Sequence, residues 1–543
     1  MKDEFEKKEV SNATMIENVA ANDSGLTSYS DLQLGESLIE KDRDSSLCAS
    51  AMSHKRILAH SIAALLAGGV FGYDSVINGA SISMPAFLLY FGDHTATGSL
   101  FVPSIWASMW TAMSYLLQAI GGFAISFVSD HIGRKWACVA AACISIVGVG
   151  VQYAATSRGM LLGGKMINGL AIGCIFASAT SWASEISPLR LRGPIQSSIV
   201  LFMVLMQAIG LVTIRLYIEN ITPAAFRMVF ALQWIWPIAA GLAFLVMPES
   251  PTFLVQKGKI EAAKKALTRL YGSSNHIDAR LALLSKQVEQ ERLQAETHGN
   301  AGYLELFKRT SLKRTFTVFW LFLAAGLNGA SLLAQNTYFL IIAGLPAVHA
   351  FDVGIGGFGL AIVAIVFSWF YMEKFGRRSI WLAGVTINIV VMAIIGGLYY
   401  SHAKASLWAV AILMNVLIAW QLLTMTSIGW VITAEVSSYR LRAKTQSIGV
   451  ISNAATTWLF TFTVPYMYNT DSGNLGARTG FVFMGTSVIL LIGSWFLVPD
   501  LQGFTTEEVD WLYTQKIPVR HFQRYADGRA KEGAAMRVDA MGK

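Results

Sequence analysis

The chain has 543 residues, of which 54% are hydrophobic and 14% charged, with a net charge of +8 and a mean hydropathy of +0.49. This composition excludes an ordinary soluble globular protein and predicts a polytopic membrane protein. The basic residues lie in short loops between apolar segments, a pattern typical of membrane orientation rather than of nucleic-acid binding.

Residues 1–53 are polar and lack a sustained apolar run, which predicts a disordered N-terminal tail. We then expect an N-terminal six-helix bundle over 54–250, a linker with short helices over 251–314, a C-terminal six-helix bundle over 315–498 and a C-terminal tail over 499–543. The predicted spans are 57–78, 102–127, 136–155, 161–184, 195–217, 227–247, 315–340, 352–373, 379–400, 406–434, 445–467 and 478–498. The predicted fold class is an all-α membrane protein with twelve transmembrane helices in two pseudo-repeats.

Every second loop concentrates lysine and arginine, and an even number of spans places both termini on one side. We therefore expect both tails and the linker to be cytoplasmic. Asn220, in the opposite set of loops, begins the sequon Asn220-Ile221-Thr222 and is a candidate glycosylation site.

The four cysteines lie in the tail or in apolar stretches, with a spacing that fits neither a disulfide framework nor a metal site. We expect no metal and no cofactor. No nucleophile with a base, paired catalytic carboxylates or phosphate-binding loop lies in a suitable setting, so an enzyme is not expected.

One charged octet occurs twice, about 250 residues apart: Glu185-Ile-Ser-Pro-Leu-Arg-Leu-Arg192 and Glu435-Val-Ser-Ser-Tyr-Arg-Leu-Arg442. A Gly-Arg-basic turn after the second helix of each half also repeats. Ion pairs between these groups would form a latch at the cytoplasmic end, with Glu185 beside Arg192 and Glu435 beside Arg442; anchoring at lipid headgroups is the alternative. The predicted latch residues are Asp130, Arg134, Glu185, Arg192, Glu373, Arg377, Glu435 and Arg442.

Further motifs are Phe71-Gly72-Tyr73-Asp74, the stretch from Phe230 to Pro237, Pro248-Glu249-Ser250-Pro251 and Pro499-Asp500-Leu501-Gln502-Gly503. With these motifs, residues 55–515 resemble the sugar-porter family of the major facilitator superfamily, and within it fungal permeases for maltose and other α-glucosides. The resemblance implies alternating access, in which two six-helix bundles rock about a central site and the cytoplasmic ion pairs lock the outward-open state.

Asp74 lies within an apolar helix, where an ionisable group is unfavourable unless it is paired or faces a polar cavity. Lys165, near the start of the fourth helix, is its expected partner. The resemblance implies that Asp74 exchanges a proton during transport and that its ion pair controls the conformational change. Lys165 stands where the family has arginine, so a point charge replaces a forked donor. A purely structural pair between two helices is the alternative.

Asn328, Ser331 and Gln335 recur at i, i+3 and i+7 on the predicted seventh helix, beside Asn336. Amides and hydroxyls at this spacing can hold the hydroxyl groups of a substrate, and an aromatic ring can cover the apolar face of a sugar. The other substrate-binding candidates are Gln196, Gln207, Trp430 and Asn453. Helix packing is the alternative role for each polar residue.

The resemblance implies that Trp430 and Asn453 occupy sugar-contacting positions, whereas Ala325 and Gly326 stand where the family commonly has two amides. Three hypotheses follow. The first is a monomeric carrier in the lipid bilayer of the plasma membrane that imports an α-glucoside, a hexose or a related polyhydroxylated solute together with protons. The second is a transporter of a non-sugar molecule such as a secondary metabolite, and the third is a non-transporting nutrient sensor.

Overall fold

The computed structural model describes residues 29–94, 100–272, 276–297, 303–307, 309–371, 376–401, 403–437, 442–469 and 471–501, and single positions or pairs at 509, 512–513, 515, 518–519 and 522. The first part of the chain forms helices α1 (Tyr29–Asp44), α2 (Leu47–Ser53), α3 (Lys55–Ala80), α4 (Pro85–Phe91), α5 (Ser104–Ile132), α6 (Arg134–Tyr153), α7 (Arg158–Ile186), α8 (Leu189–Tyr217), α9 (Pro223–Leu232) and α10 (Ile235–Val246). Strands β1 (Asp93–His94) and β2 (Leu100–Phe101) form a short antiparallel ribbon.

The linker forms α11 (Pro251–Gln256), α12 (Ile260–Tyr271) and α13 (Ile277–Thr297). The second half consists of α14 (Arg309–Leu327), α15 (Ala330–Ala334), α16 (Asn336–Ile342), α17 (Ala347–Tyr371), α18 (Arg377–Leu398), α19 (Lys404–Gln421), α20 (Ser427–Val436), α21 (Arg442–Tyr468) and α22 (Thr479–Leu497). A π-helical turn over Leu422–Thr426 joins α19 to α20. Such turns occur often at functional sites.

Within the described ranges, ten helices or helix pairs are long and apolar enough to cross a membrane, six in the first half and four in the second. The all-α membrane class is thereby confirmed. The two other predicted spans coincide with α14–α16, which is broken, and with α21, which carries many hydroxyl side chains. The count of twelve spans stays a prediction.

The N-terminal tail differs from its predicted disorder, since α1 and α2 are helical; residues 1–28 lie outside the described ranges. Helix α1 docks on α13 of the linker, where Glu36 pairs with Lys286 at 3.1 Å and Asp42 lies 3.7 Å from Arg280. The linker therefore supplies the contacts that a polar tail cannot supply by itself.

The seventh predicted span is not one continuous helix. It breaks at Gly329, which has a left-handed φ of 83°, and again at Gln335. The Asn328 side chain accepts a hydrogen bond from the Ala330 backbone N–H at 2.9 Å and so begins a new helix. The prediction that Asn328, Ser331 and Gln335 share one face of a regular helix is therefore wrong.

The two halves pack together at one end of the bundle. We call it the far end, and the end that carries Arg134, Arg377 and the linker the basic end. At the far end a single apolar core takes in side chains of both halves, such as Trp110 and Tyr338. Toward the basic end the halves have separate cores, one around Trp182 and one around Trp381.

Polar contacts reinforce the closed far end. Ser108 Oγ donates to the Phe462 carbonyl at 2.6 Å, so α5 is bonded to α21. Arg215 on α8 pairs with Asp352 on α17 at 2.8 Å. Closure at this end therefore uses helices from both halves.

Candidate functional site

Asp74 forms the centre of a buried polar cluster in the first half and has an exposed fraction of 7%. Its Oδ1 accepts hydrogen bonds from Asn168 Nδ2 at 2.6 Å and from Gln233 Nε2. Asn168 Oδ1 in turn accepts one from Ser145 Oγ at 2.7 Å. Elements far apart in sequence (α3, α6, α7 and the turn between α9 and α10) thus converge on one carboxyl group.

The second oxygen of Asp74, Oδ2, accepts no hydrogen bond from any described residue. It is also not among the fully buried atoms that lack a partner. Oδ2 therefore keeps a small exposed area in a residue that is otherwise buried, and it can take up a proton or a hydrogen-bond donor.

Lys165, with an exposed fraction of 2%, belongs to the same cluster, but its hydrogen bonds go to Asn78 and not to Asp74. Its Nζ donates to Asn78 Oδ1 at 2.6 Å and to the Asn78 carbonyl at 3.0 Å. No ion pair of 4.0 Å or less joins Lys165 to Asp74, so the expected direct pair is wrong for this conformation. Asn78 lies one helical turn after Asp74, and Asn168 lies three residues after Lys165, so amides separate the two charged groups.

The second half contains a counterpart of this cluster made of neutral side chains. Asn388 Nδ2 donates to the Asn328 carbonyl at 3.0 Å and to Ser487 Oγ at 2.9 Å. Gln421 Nε2 donates to Asn388 Oδ1 at 2.8 Å. Asn388 lies as many residues after Gly376 as Ser145 does after Gly133. The two clusters thus occupy matching places in the repeat, and the described charged groups lie only in the first.

The candidates on the broken span fall into two groups. Asn328 maintains the break, as described above. Gln335 Oε1 accepts from the Tyr468 hydroxyl at 2.8 Å, and its buried Nε2 has no acceptor among the described residues. Ser331 lies 3.4 Å from Thr461 Oγ1, and Asn336 Nδ2 lies 3.3 Å from Asn415 Oδ1. Gln335 therefore retains the most hydrogen-bonding capacity of this set.

Trp430 and Asn453 come together at Phe322. The Trp430 ring lies 4.7 Å from the Phe322 ring, edge to face, and 55% of the Trp430 residue is exposed. Asn453 Nδ2 lies 3.5 Å from the Phe322 carbonyl oxygen. An open indole face beside a weakly held amide is suited to binding a ring-shaped solute.

The two substrate-binding candidates on α8, Gln207 and Gln196, differ in their hydrogen bonds. Gln207 is half-buried and forms no hydrogen bond with any described residue, so its amide is available. Gln196 Nε2 instead donates to the Thr180 carbonyl at 3.0 Å and joins α8 to α7. The equivalent contact in the second half joins Gln446 to the Thr433 carbonyl at 2.8 Å. A repeated contact of this kind favours helix packing for Gln196.

The latch residues form ion pairs within each half. Arg134 lies 3.2 Å from Glu185 and 3.1 Å from Asp130, and Arg377 pairs with Glu435. Arg192 is exposed and forms no ion pair with Glu185, so that expected pair is wrong. The Glu185 carboxylate pairs with Arg134 instead. Glu373 and the side chain of Arg442 lie outside the described residues.

Glu249 and Asp500 are not among the predicted latch residues. Glu249 Oε1 accepts from the backbone N–H groups of Arg134 at 2.9 Å and Lys135 at 3.1 Å, which caps α6. The Asp500 carboxylate lies against Gly376 at the start of α18. The Pro-acid pair that contains each of them repeats after the sixth predicted helix of each half, and this repeat is the sequence signal for both residues.

Asn220 is exposed near the far end, and its Oδ1 accepts hydrogen bonds from the Thr222 backbone N–H at 3.0 Å and hydroxyl at 2.7 Å. Glycosylation of Asn220 stays a prediction.

The described residues include no group of three or more His, Cys, Asp or Glu side chains that could hold a metal ion.

Three features are together typical of a membrane transporter: a bundle of apolar helices, a buried polar cluster around one carboxyl group, and closure of the bundle at one end. Residues 60–513 match the family described as "Sugar (and other) transporter". The chain belongs to this family, which confirms the resemblance noted in the sequence and a transporter rather than an enzyme.

Two fungal relatives cover most of the chain. MFS transporter fmqE of Aspergillus fumigatus is 42% identical over 455 residues, which are 83% of this chain and 85% of the relative. The General alpha-glucoside permease of Saccharomyces cerevisiae is 27% identical over 460 residues, 83% of this chain and 74% of the relative.

Solved structures confirm the fold. The inward-open conformation of the xylose transporter XylE from E. coli aligns with a TM-score of 0.64 at 21% identity, over 84% of this chain and 99% of that chain. A XylE structure described as a proton:xylose symporter aligns with a TM-score of 0.64 at 18% identity, over 85% of this chain and all (100%) of that chain. The fold is that of the major facilitator superfamily.

Proposed function

We propose that this protein is a secondary active transporter that couples the movement of a small organic solute to protons by alternating access. The observation that carries the proposal is the accessible Oδ2 of Asp74, beside an Oδ1 already held by two amides. Such a carboxyl group can change its protonation without losing its position. The similarity to a proton:xylose symporter agrees with this role.

The proposed orientation places the basic end in the cytoplasm, because positive loops concentrate there. The far end then faces outward, and the described conformation, with a shared core at the far end and separate cores at the basic end, corresponds to an inward-open state. We assign the protein to the plasma membrane, acting as a monomer.

The proposed solute is a sugar or a related polyhydroxylated molecule. Gln207 and the Nε2 of Gln335 have free hydrogen-bonding capacity, and Trp430 with Asn453 offers a ring face beside an amide. The relation to an α-glucoside permease supports this class of solute.

One observation favours a second candidate, a non-sugar organic molecule. Gly326 packs so tightly that a Cβ there would lie 2.1 Å from Thr456 Cγ2 and 2.6 Å from Phe460 Cδ2. An amide side chain at this position has no room while α14 and α21 pack this closely. The loss of two amides at Ala325 and Gly326 leaves a less polar surface, suited to a solute with fewer hydroxyl groups.

Uptake into proteoliposomes under an imposed proton gradient tests both proposals, with sugars, polyols and non-sugar solutes compared. Asp74→Asn is expected to abolish gradient-driven accumulation while solute exchange without a gradient continues, which also shows that the variant is folded. Asp93→Asn, a carboxylate change at the exposed far end, is the matched control.

Undiminished gradient-driven uptake by Asp74→Asn would remove that residue from coupling. Coupled movement of non-sugars alone would select the second candidate. Ligand binding without movement of any solute would instead indicate a nutrient sensor.

A further inference from the structure

A cavity of about 580 Å³ lies at the basic end, away from the cluster around Asp74. Its walls come from Pro248, just after α10, and from α11 and α12, with Leu254 and Ala262 among the apolar residues. A volume of this size is in the range that holds a small ligand or a headgroup.

The cavity has a positive wall. Lys265 and Arg269 lie one turn apart on α12, are both exposed, and form no ion pair with any described residue. Their neighbour Lys264 differs, because its hydrogen bond with Asp278 at 2.5 Å raises the pKa of Lys264. Two cations in one cavity wall that no described carboxylate pairs with favour an anionic ligand.

The acidic wall residue, Glu249, does not neutralise these cations. Its Oε1 accepts hydrogen bonds from the backbone N–H groups of Arg134, Lys135 and Ser250, at 2.9, 3.1 and 3.0 Å. The carboxylate therefore faces the positive end of the α6 dipole, and it does not act as a counter-ion for Lys265 and Arg269 on α12.

The cavity lies at the level of the membrane surface. Pro248 follows the candidate membrane-spanning segment Pro223–Val246, and Leu270 of α12 belongs to the same buried apolar cluster as Ile57 near the start of α3. Immediately before the cavity, Leu242 and Val246 of α10 are exposed. An uncovered apolar helix face thus leads to a basic cavity at the lipid interface.

We propose that this cavity binds the phosphate headgroup of an anionic phospholipid, with the acyl chains along the exposed face of α10. Lys265 and Arg269 would hold the phosphodiester, and the apolar walls would cover the glycerol carbons. A soluble phosphate ester would use the cations but leave the apolar face of α10 uncovered, which favours the lipid. The proposal does not depend on which solute is transported.

The test compares lipid binding to the purified full-length chain by native mass spectrometry, with phosphatidylglycerol and phosphatidylcholine as probes. The double variant Lys265→Gln/Arg269→Gln should reduce the preference for phosphatidylglycerol by roughly thirtyfold, since each basic residue near an anionic lipid contributes about a fivefold preference. Lys257→Gln/Lys259→Gln removes the same charge from exposed positions of the same linker and should retain the preference.

Three outcomes overturn the proposal: no preference for phosphatidylglycerol in the unmodified protein, an equal loss in the Lys257/Lys259 variant, or displacement of the lipid by soluble glycerol phosphate at a comparable concentration. Melting curves of both variants establish that they are folded. Lys265→Arg/Arg269→Lys, which keeps both charges, should bind the lipid as the unmodified protein does.

Discussion

Asp471 caps a helix of the opposite half. Its Oδ2 accepts a hydrogen bond from the backbone N–H of Ser104 at 2.8 Å, and its Oδ1 accepts one from the Ser104 hydroxyl. Ser104 is the first residue of α5, so a carboxylate after α21 lies at the positive end of that helix. Any opening of the far end must break this contact.

Asp471→Asn should therefore shift the protein toward a conformation open at the far end. Charge-assisted hydrogen bonds contribute about 1.5–3 kcal/mol, so labelling of a cysteine introduced at the buried position Ala107 should accelerate roughly tenfold or more. The measurement is the rate of modification by a membrane-impermeant thiol reagent in a chain whose native cysteines are replaced.

Asp93→Asn is the control, because its 2.7 Å pair with Arg158 lies within one half at the same end. It should leave the labelling rate unchanged. An equal acceleration in both variants would show that the cross-half cap does not hold the far end closed.

The matched polar clusters allow a paired comparison of Asn168→Leu and Asn388→Leu. Both changes remove buried hydrogen bonds, so each should lower the free energy of unfolding by about 1–3 kcal/mol. Only Asn168→Leu should alter the pH dependence of transport, because only its cluster contains a carboxyl group. Melting curves and transport rates across pH measure both effects, and a pH response altered equally by Asn388→Leu would contradict the assignment.

The two Gly-Arg turns should respond differently to alanine. Gly133 has φ 96° and ψ 159°, a region open essentially to glycine, whereas Gly376 has an ordinary φ of −59°. Gly133→Ala should lower the free energy of unfolding by about 1–3 kcal/mol through backbone strain. Gly376→Ala requires only that the Asp500 carboxylate shift, so its effect in denaturation experiments should be smaller. Equal losses in the free energy of unfolding would show that side-chain crowding, rather than backbone strain, destabilises both variants.

Gly326→Ala should impair both stability and transport. The added methyl group would overlap Thr456 and Phe460 on α21, and overpacking of this kind lowers the free energy of unfolding by about 1–3 kcal/mol. Gly359→Ala on α17, where a Cβ meets nothing within 4 Å, is the matched control for melting and uptake. Full transport by Gly326→Ala would show that α14 and α21 need not approach this closely.

The sequence predicted the membrane class, the fold family and the positions of most spans, because these depend on long apolar runs and on a charged pattern repeated in both halves. Asp74 was also identifiable, since a carboxylate in an apolar helix is conspicuous. Its partners were not. Gln233 reaches Asp74 from 159 residues away, and no local pattern indicates which of several amides lies closest.

The structure differs from the predictions made from the sequence at two further places, and both differences have a physical cause. The break at Gly329 was not predicted, because a glycine in an apolar helix is common and only tertiary packing decides whether it adopts a positive φ. The folding of α1 depends on α13, about 240 residues later, so composition alone indicated disorder. Contacts between distant segments, rather than local propensity, decided both results.

The position of Asp74 along α3 has an electrical consequence. It lies nineteen residues after Lys55 and six before Ala80, roughly 28 Å and 9 Å along the helix axis. The membrane potential falls across closely packed protein rather than across a water-filled cavity, so in an alternating-access cycle the field acts on the charge at Asp74 when one end of the bundle closes and the other opens. A membrane potential of 100 mV contributes about 2.3 kcal/mol per charge over the full field, so voltage should act mainly on this conformational step.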